Sequence, residues 1–282
     1  MVDVVYRFGG DDGPAPRPAT GGQARRLLEQ GNAAFVEVFD PSDATDRPHV
    51  VGVQAGEAQV AGLSGALAHE PFAVVLGCAD ARVPIELLFG RAINDLFVLR
   101  IAGNVLGNEV IGSIDYALQH LPTVRLVVVL GHSSCGAVTA AVQAYLDPAS
   151  YLSLSSEHQL RAIVDQLFPA VRLSHAALLR AHGESVVERP GFLDALVEVS
   201  VAVNAAITAS SLRSELTRYG LDEVIPTFGV YDLATHRVGV AAANGSGAVR
   251  HGLFAPPMDA RGFRALADDL ASGPVVREIL AP

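Results

Sequence analysis

The residues best suited to chemistry stand in two short clusters. One is Cys-Ala-Asp-Ala-Arg at 78–82, the other is His-Ser-Ser-Cys-Gly at 132–136, and together they hold the only two cysteines of the chain. Zinc is typically bound by thiolate and imidazole ligands together, whereas cysteines kept for packing have no reason to stand beside such polar residues. The two clusters therefore predict a shared metal site.

Three residues of these clusters form a plausible ligand set. Cys78, His132 and Cys135 would supply two sulfur ligands and one nitrogen ligand. Three protein ligands leave one tetrahedral position of zinc open, which is typical of a catalytic site. Water at that position loses its proton near neutral pH and becomes a nucleophile for an electrophilic carbon.

Two further polar residues lie close to the ligands in sequence. Asp80 stands two residues after Cys78, so its carboxylate either ligates the metal or accepts a hydrogen bond from the bound water. Arg82 decides between these alternatives if it forms a bidentate ion pair, because that pair would hold Asp80 off the metal.

Short apolar runs predict the elements that position the clusters. The runs cover Phe72–Leu76, Leu96–Leu99 and Arg125–Leu130, and a stretch compatible with a helix follows each one. Continuous Val and Leu runs that alternate with helices are typical of a parallel sheet covered on both faces. Because the clusters directly follow the first and third runs, we expect them to meet at the carboxyl edge of the sheet. The predicted fold class is α/β, a mostly parallel β-sheet flanked by helices.

The rest of the chain divides into three segments. Residues 1–22 are rich in Pro and Gly and are predicted to form a flexible N-terminal arm. Residues 23–243 are predicted to form the catalytic domain. Residues 244–282 are predicted to form a C-terminal extension that lies against a partner subunit. Further elements are predicted as helices at Gln23–Phe39, 157–183, 192–218 and 259–271, and a hairpin of Val224–Tyr231 with Arg237–Ala243.

Composition excludes some classes of partner. The 20 Lys and Arg against 30 Asp and Glu give a formal charge of −10, which argues against binding to nucleic acid or to an anionic membrane. The acidic, Pro-rich start is unlike a secretory signal or a transit peptide, and no apolar run is expected to reach membrane-spanning length. Two cysteines with metal-type neighbours suit a reducing compartment, so we expect a cytoplasmic protein.

The motifs carry a resemblance to a known family. Cys-x-Asp-x-Arg followed by Gly-His-x-x-Cys-Gly is the signature of the β-class carbonic anhydrases, and this sequence resembles that family over roughly residues 23–243. Further matching stretches lie at 31–35, 69–73, 95–104 and 229–233.

The resemblance implies an activity and an assembly. The family catalyses reversible hydration of carbon dioxide to bicarbonate and a proton, using Zn²⁺ held by two cysteines and a histidine, here Cys78, His132 and Cys135. Asp80 and Arg82 match the family's catalytic gating pair, with Asp80 a metal ligand in the closed state only. The resemblance also implies a homo-oligomer, either a dimer or a dimer of dimers, with the site near the subunit interface.

The same resemblance suggests which residues form the substrate pocket. Phe97 and Tyr116 would line its apolar wall, and the Gly136 amide would lie close to the substrate. His69 replaces a glutamine that binds bicarbonate in many members, so it either substitutes for that residue or the mechanism differs. Ala81 replaces the usual serine between Asp80 and the arginine. Since the chain has no Trp, the bicarbonate inhibition site of some members is incomplete, and Arg100 alone would not form one.

Two alternative functions remain open on the sequence. One keeps the metal site and hydrolyses carbonyl sulfide or carbon disulfide. The other is a non-catalytic zinc-binding or assembly protein whose activity is lost through the changes at His69 and Ala81.

Overall fold

The computed structural model describes residues 4–8, 17–39, 49–53, 68–91, 93–153, 158–241 and 249–281. Its strands and helices, in chain order, are β1 (Val4–Phe8), α1 (Gly21–Glu37), β2 (His49–Val53), β3 (Ala73–Gly77), α2 (Ile85–Leu88), β4 (Leu96–Arg100), α3 (Asn108–His120), β5 (Leu126–His132), α4 (Gly136–Leu146), α5 (Pro148–Ser153), α6 (His158–His182), α7 (Phe192–Arg218), β6 (Ile225–Tyr231), β7 (Val238–Val240), β8 (Arg250–His251), α8 (Ala260–Ala271) and α9 (Pro274–Ile279).

A six-stranded sheet forms the centre of the fold. Its strand order is β4-β3-β5-β6-β7-β8, and the first four strands are parallel whereas β7 and β8 are antiparallel to their neighbours. Every residue of β3 and β5 is buried, which explains why these strands read as continuous apolar runs. The predicted α/β class and the predicted hairpin, formed by β6 and β7, are confirmed.

Helices cover both faces of this sheet and bury two apolar cores. Because side chains alternate along a strand, Val74 of β3 faces one core and Val75 faces the other. Helices α1 and α2 pack on the Val75 side, while α3, α4, α6 and α7 pack on the Val74 side. The sheet's carboxyl edge, where the polar clusters lie, is thereby fixed between two packed layers.

Helix α1 shows how local sequence and packing cooperate. Thr20 and Gln23 form a capping box, in which each side chain accepts a hydrogen bond from the other's backbone N–H. The helix continues through Gly31, where a Cβ atom would lie 1.7 Å from the Phe89 carbonyl oxygen. Glycine at this position therefore allows the helix to approach the chain at the end of α2.

The N-terminal segment differs from the flexible arm predicted for residues 1–22. Val4–Phe8 forms β1, which pairs in parallel with β2 in a separate two-stranded sheet. Helix α1 connects these two strands, as parallel pairing requires a crossover.

The C-terminal extension packs on its own chain. Ala267 and Leu270 of α8 and Val276 of α9 are buried in the same core as α6 and α7. Arg180 of α6 donates to Asp268 of α8 at 2.9 Å. The described part of the extension is thus anchored within its own chain, and its contact with a partner subunit stays a prediction.

Helix α7 corrects the prediction about apolar length. Its 27 residues contain an 18-residue window of mean hydropathy 1.6, which is long and apolar enough to cross a membrane by length and composition. However, 78% of that window is buried inside the fold. The helix is therefore apolar because it forms the centre of the larger core.

Candidate metal centre

The structure brings the three predicted ligands together at the carboxyl edge of the sheet. The Sγ atoms of Cys78 and Cys135 and a ring nitrogen of His132 all lie within 4.8 Å of one another, and all three residues are buried. Cys78 directly follows β3, His132 ends β5, and Cys135 is the N-cap of α4. Two neighbouring parallel strands and one helix start thus converge on one point.

The imidazole is oriented for metal binding. The Nδ1 atom of His132 lies 2.9 Å from the Ser133 carbonyl oxygen, which assigns it the ring proton. Its Nε2 atom is buried and has no hydrogen-bond partner among the described residues. A buried polar atom without a partner is costly, and a metal ion beside the two sulfurs would satisfy it. The donors present therefore fit a metal ion.

Hydrogen bonds already favour a thiolate in this cluster. The pKa of Cys78 is lowered to about 4, chiefly because its sulfur accepts a hydrogen bond from Cys135 and to a lesser extent because the His132 ring and the Asp80 and Gly103 backbone lie beside it, although burial opposes this. The pKa of Cys135 is raised because it holds the shared proton and is buried. A metal ion would replace that proton and allow both sulfurs to ligate it.

Asp80 and Arg82 form a bidentate pair, which is one of the two arrangements that sequence analysis left open. The Arg82 Nε atom donates to Asp80 Oδ1 at 3.0 Å and Nη2 donates to Oδ2 at 2.7 Å, while the Arg82 backbone N–H donates to Oδ1 at 2.9 Å. These bonds hold the pKa of Asp80 well below its usual range. Since Oδ2 lies 3.8 Å from His132 Nε2, the carboxylate is held beside the ligand cluster.

Arg100 has a role at the site that sequence analysis missed. Its Nε atom donates to the Cys78 carbonyl oxygen at 3.1 Å, and its Nη2 atom donates to the Asp80 carbonyl oxygen at 2.5 Å. The side chain thus fixes the backbone that carries one ligand and the carboxylate. The role of Arg100 could have been predicted only from the strand order, because the end of β4 lies beside the end of β3 only when these two strands pair.

Glu198 of α7 also supports the site and was not predicted. Its Oε1 atom accepts the Ser134 backbone N–H at 2.7 Å, and Ser134 has a φ of 53°, in the left-handed region. Ser134 lies in the turn between His132 and Cys135, so the carboxylate holds the turn that places both ligands. Burial raises the pKa of Glu198, although the Ser134 hydrogen bond partly offsets this.

Comparison with known proteins identifies the family. A family model described as carbonic anhydrase matches residues 73–222, which is more than half of the chain and includes all three ligands. The chain belongs to the β-class carbonic anhydrase family.

Curated relatives and solved structures are similar to this carbonic anhydrase family member. Carbonic anhydrase 2 of Mycobacterium tuberculosis (strain ATCC 25618 / H37Rv) is 39% identical over 155 residues, which are 53% of this chain and 64% of the relative. The carbonic anhydrase of Mycolicibacterium smegmatis is 40% identical over 156 residues, 55% of this chain and 66% of the relative. The matches thus span slightly less than two thirds of these relatives. The Coccomyxa β-carbonic anhydrase structure, determined with acetazolamide, is 20% identical with a TM-score of 0.48, covering 79% of this chain and 90% of that one.

The residues predicted from the carbonic anhydrase resemblance to form the pocket do not all meet. Gly136 is the first residue of α4 and directly follows Cys135. The space beside its Cα atom is open, since an added Cβ would meet no described atom within 4 Å. Phe97 pairs with Val74, four residues before Cys78, so it lies about 13 Å along the sheet from that ligand.

His69 lies beside Phe97, whereas Tyr116 lies on the surface. The His69 ring stacks on Phe97 with centroids 5.8 Å apart. Tyr116 is 50% exposed on α3, where its ring contacts His120 at 5.1 Å. The pocket assignment of these three residues in this carbonic anhydrase family member therefore stays a prediction.

Proposed function

We propose that this protein catalyses the reversible hydration of carbon dioxide to bicarbonate and a proton, with zinc as its metal. The observation that carries the proposal is the buried cluster of two thiol groups and one unpartnered imidazole nitrogen beside the paired Asp80 carboxylate. Two sulfurs and one nitrogen suit zinc and leave one ligand position for solvent. When bound, zinc supplies a nucleophile at neutral pH by lowering the pKa of a water ligand.

The chain's own residues orient the reactants. Arg82 keeps the Asp80 carboxylate ionised and facing the cluster, where it accepts a hydrogen bond from the attacking oxygen and sets its direction. The positive N-terminal end of α4, which begins at Gly136, favours the anionic product. The proton is released to solvent, which balances the reaction.

The proposed function is tested by stopped-flow hydration with zinc-loaded protein, using Cys135→Ala as a metal-deficient control. We expect zinc-dependent hydration by the wild-type protein and none by the control. Hydration no faster than buffer would reject the proposal, and faster release of hydrogen sulfide from carbonyl sulfide would favour the sulfur-substrate alternative.

We further propose that the protein acts as a homo-oligomer, a dimer or a dimer of dimers, in the cytoplasm. Support comes from the position of Phe97 and His69, which lie too far along the sheet to serve the cluster of their own chain and would serve the cluster of another copy. Mixing an Arg82→Ala chain with a Phe97→Ala chain tests this, because hybrid dimers would regain one intact composite site. Activity that fails to recover on mixing would contradict shared sites.

A further inference from the structure

A second cavity lies away from the metal centre. It has a volume of about 510 Å³ and lies between α1, the β6–β8 edge of the sheet and α8. Its size is that of a small-molecule site. All of its lining residues fall outside residues 73–222, the stretch matched by the family model.

One wall of this cavity presents a guanidinium group without an acceptor. The Arg25 Nε atom is buried and has no hydrogen-bond partner within the part of the chain that the structure describes. The closest carboxylate, Glu29, lies 3.7 Å away, and its Oε1 atom already accepts the Leu253 backbone N–H at 3.0 Å. Because the Nε atom is shielded from solvent, it is the Nη groups of Arg25, which also have no hydrogen-bond acceptor among the described residues, that retain donor capacity toward the cavity.

A second guanidinium group lines the same cavity. Arg250 stacks over the Phe254 ring, with Cζ 4.5 Å from the ring centroid. Stacking uses the face of the guanidinium and leaves its N–H edges available to an acceptor. Within the described ranges, the guanidinium group of Arg250 forms neither an ion pair nor a hydrogen bond. Two guanidinium groups and the single Glu29 carboxylate leave an excess of one positive charge.

Apolar side chains form part of the remaining wall. Phe228 and Leu253, each 2% exposed, and Leu266 of α8 belong to this part of the lining. His251 also lines it, and burial, together with the charge of Arg237, lowers the pKa of this imidazole, so it is uncharged at neutral pH. The cavity thus combines one surplus positive charge with several apolar side chains in its lining.

We propose that this cavity binds a small organic monocarboxylate. The carboxylate would accept hydrogen bonds from Arg25 and Arg250, whose planar forks match its two oxygens, and the apolar body would pack against Phe228, Leu253 and Leu266. A monoanion matches the surplus of one positive charge, and the apolar walls favour a chain of several carbons over a bare anion. The site is separate from the proposed hydration activity.

Isothermal titration of the zinc-loaded full chain tests the proposal with four probes. We expect hexanoate to bind with one site per chain, and acetate, hexanol and hexylammonium to bind at least about tenfold more weakly, because each lacks the apolar body or the negative charge. No binding of hexanoate, or equal binding of any other probe, would overturn the proposal.

Matched variants locate the binding. Arg25→Gln and Arg250→Gln are each expected to weaken hexanoate binding about tenfold. Arg26→Gln removes the same charge from the exposed face of α1 and should leave binding unchanged. Since a carboxylate bound at the metal would be insensitive to Arg25 and Arg250, unchanged affinity in both variants overturns the proposal whether or not the protein hydrates carbon dioxide.

A crystal structure of the wild-type protein with hexanoate gives a test that does not depend on the folding of a variant. The carboxylate should lie within hydrogen-bond distance of Arg25 and Arg250. A carboxylate found elsewhere, with this cavity free of it, would overturn the assignment.

Discussion

At the residue scale, the Asp80–Arg82 pair sets the direction of one carboxylate. In the proposed function, Asp80 has to accept a hydrogen bond from the attacking oxygen without ligating the metal itself. Arg82 meets both needs because three of its N–H groups reach the two carboxylate oxygens. The competition of Asp80 for the metal should be strongest at low pH, where the water ligand is not ionised. We therefore expect an inactive, closed site at lower pH and an active one at higher pH.

Replacing Arg82 by Lys tests this arrangement. Lysine keeps the charge but offers only a point contact in place of the planar fork, so we expect hydration to fall about tenfold or more, with zinc content retained. The loss should be larger at pH 6.5 than at pH 8.5. Stopped-flow measurements give the hydration rate at each pH and metal analysis gives the zinc content, with the substitution Arg172→Lys at an exposed position as control. An unchanged profile would contradict the gating role.

Glu198 gives a second prediction at this scale. Glu198→Leu removes the acceptor for the Ser134 N–H, so the turn between His132 and Cys135 loses its support. We expect zinc affinity to fall by about 10- to 100-fold, as is typical when a residue that orients metal ligands is lost. Glu198→Gln keeps a carbonyl acceptor and should stay close to wild type. Chelator competition measures the affinities, and equal affinity in the Leu variant would show that the turn holds without Glu198.

At the element scale, the contact between α1 and the end of α2 depends on glycine. In Gly31→Ala the new Cβ would lie 1.7 Å from the Phe89 carbonyl oxygen, so the helix has to shift. We expect the free energy of unfolding to fall by about 2–3 kcal/mol. Gly22→Ala is the matched control in the same helix, since its Cβ meets only the Arg26 side-chain tip at 3.7 Å. That change should be neutral or stabilise by up to about 1 kcal/mol.

Urea unfolding of the two alanine variants distinguishes close packing from a general intolerance of substitution in α1. Equal stability of both variants would show that α1 does not need to approach Phe89 this closely.

The packing of α6 against its neighbours predicts a pH-dependent stability. His175 lies near Tyr145 and Phe192, and burial lowers the pKa of its imidazole. The folded state therefore binds fewer protons there than the unfolded state does. The resulting stabilisation is present above the unfolded pKa of about 6.5 and is lost as pH falls through the folded value.

Comparison of wild type with His175→Gln isolates this effect. The wild-type advantage in free energy of unfolding should shrink between pH 7.5 and pH 5. A wild-type advantage that stays constant with pH would argue against a neutral, partly buried imidazole at this position.

At the scale of the whole molecule, a metal ion at the proposed site would join the sheet to the helices on one of its faces. Cys78 follows β3 in the sheet, and Cys135 begins a helix of the larger core, so an ion held by both joins the layers. Removing the ion should destabilise the protein by several kcal/mol, because binding free energy is also folding free energy. We expect a chelator to lower the melting temperature by about 10 °C and added zinc to restore it. Calorimetry measures this, and the Cys135→Ala protein should not respond.

Local patterns in the sequence determined much of this molecule. The apolar runs predicted β3 and β5 because strands buried on both faces need continuous Val and Leu, and a third run predicted β4, the partly exposed strand at the edge of the sheet. The polar clusters directly after two of those runs predicted that Cys78, His132 and Cys135 meet, since parallel strands end at one edge. The sequence also predicted the long helices α6 and α7, whose ends lie close to the predicted bounds.

Only the tertiary structure decided which distant residues act on that site and where a second cavity forms. Glu198 stands 64 residues after the Ser134 N–H that it accepts, and Arg25 and Arg250 line one cavity from opposite ends of the chain. Such contacts depend on strand register and helix packing, which no local pattern encodes. The sequence by itself thus determined the ligands and their place at the edge of the sheet, whereas packing decided what supports them, how far Phe97 lies from its own cluster, and which surfaces are buried.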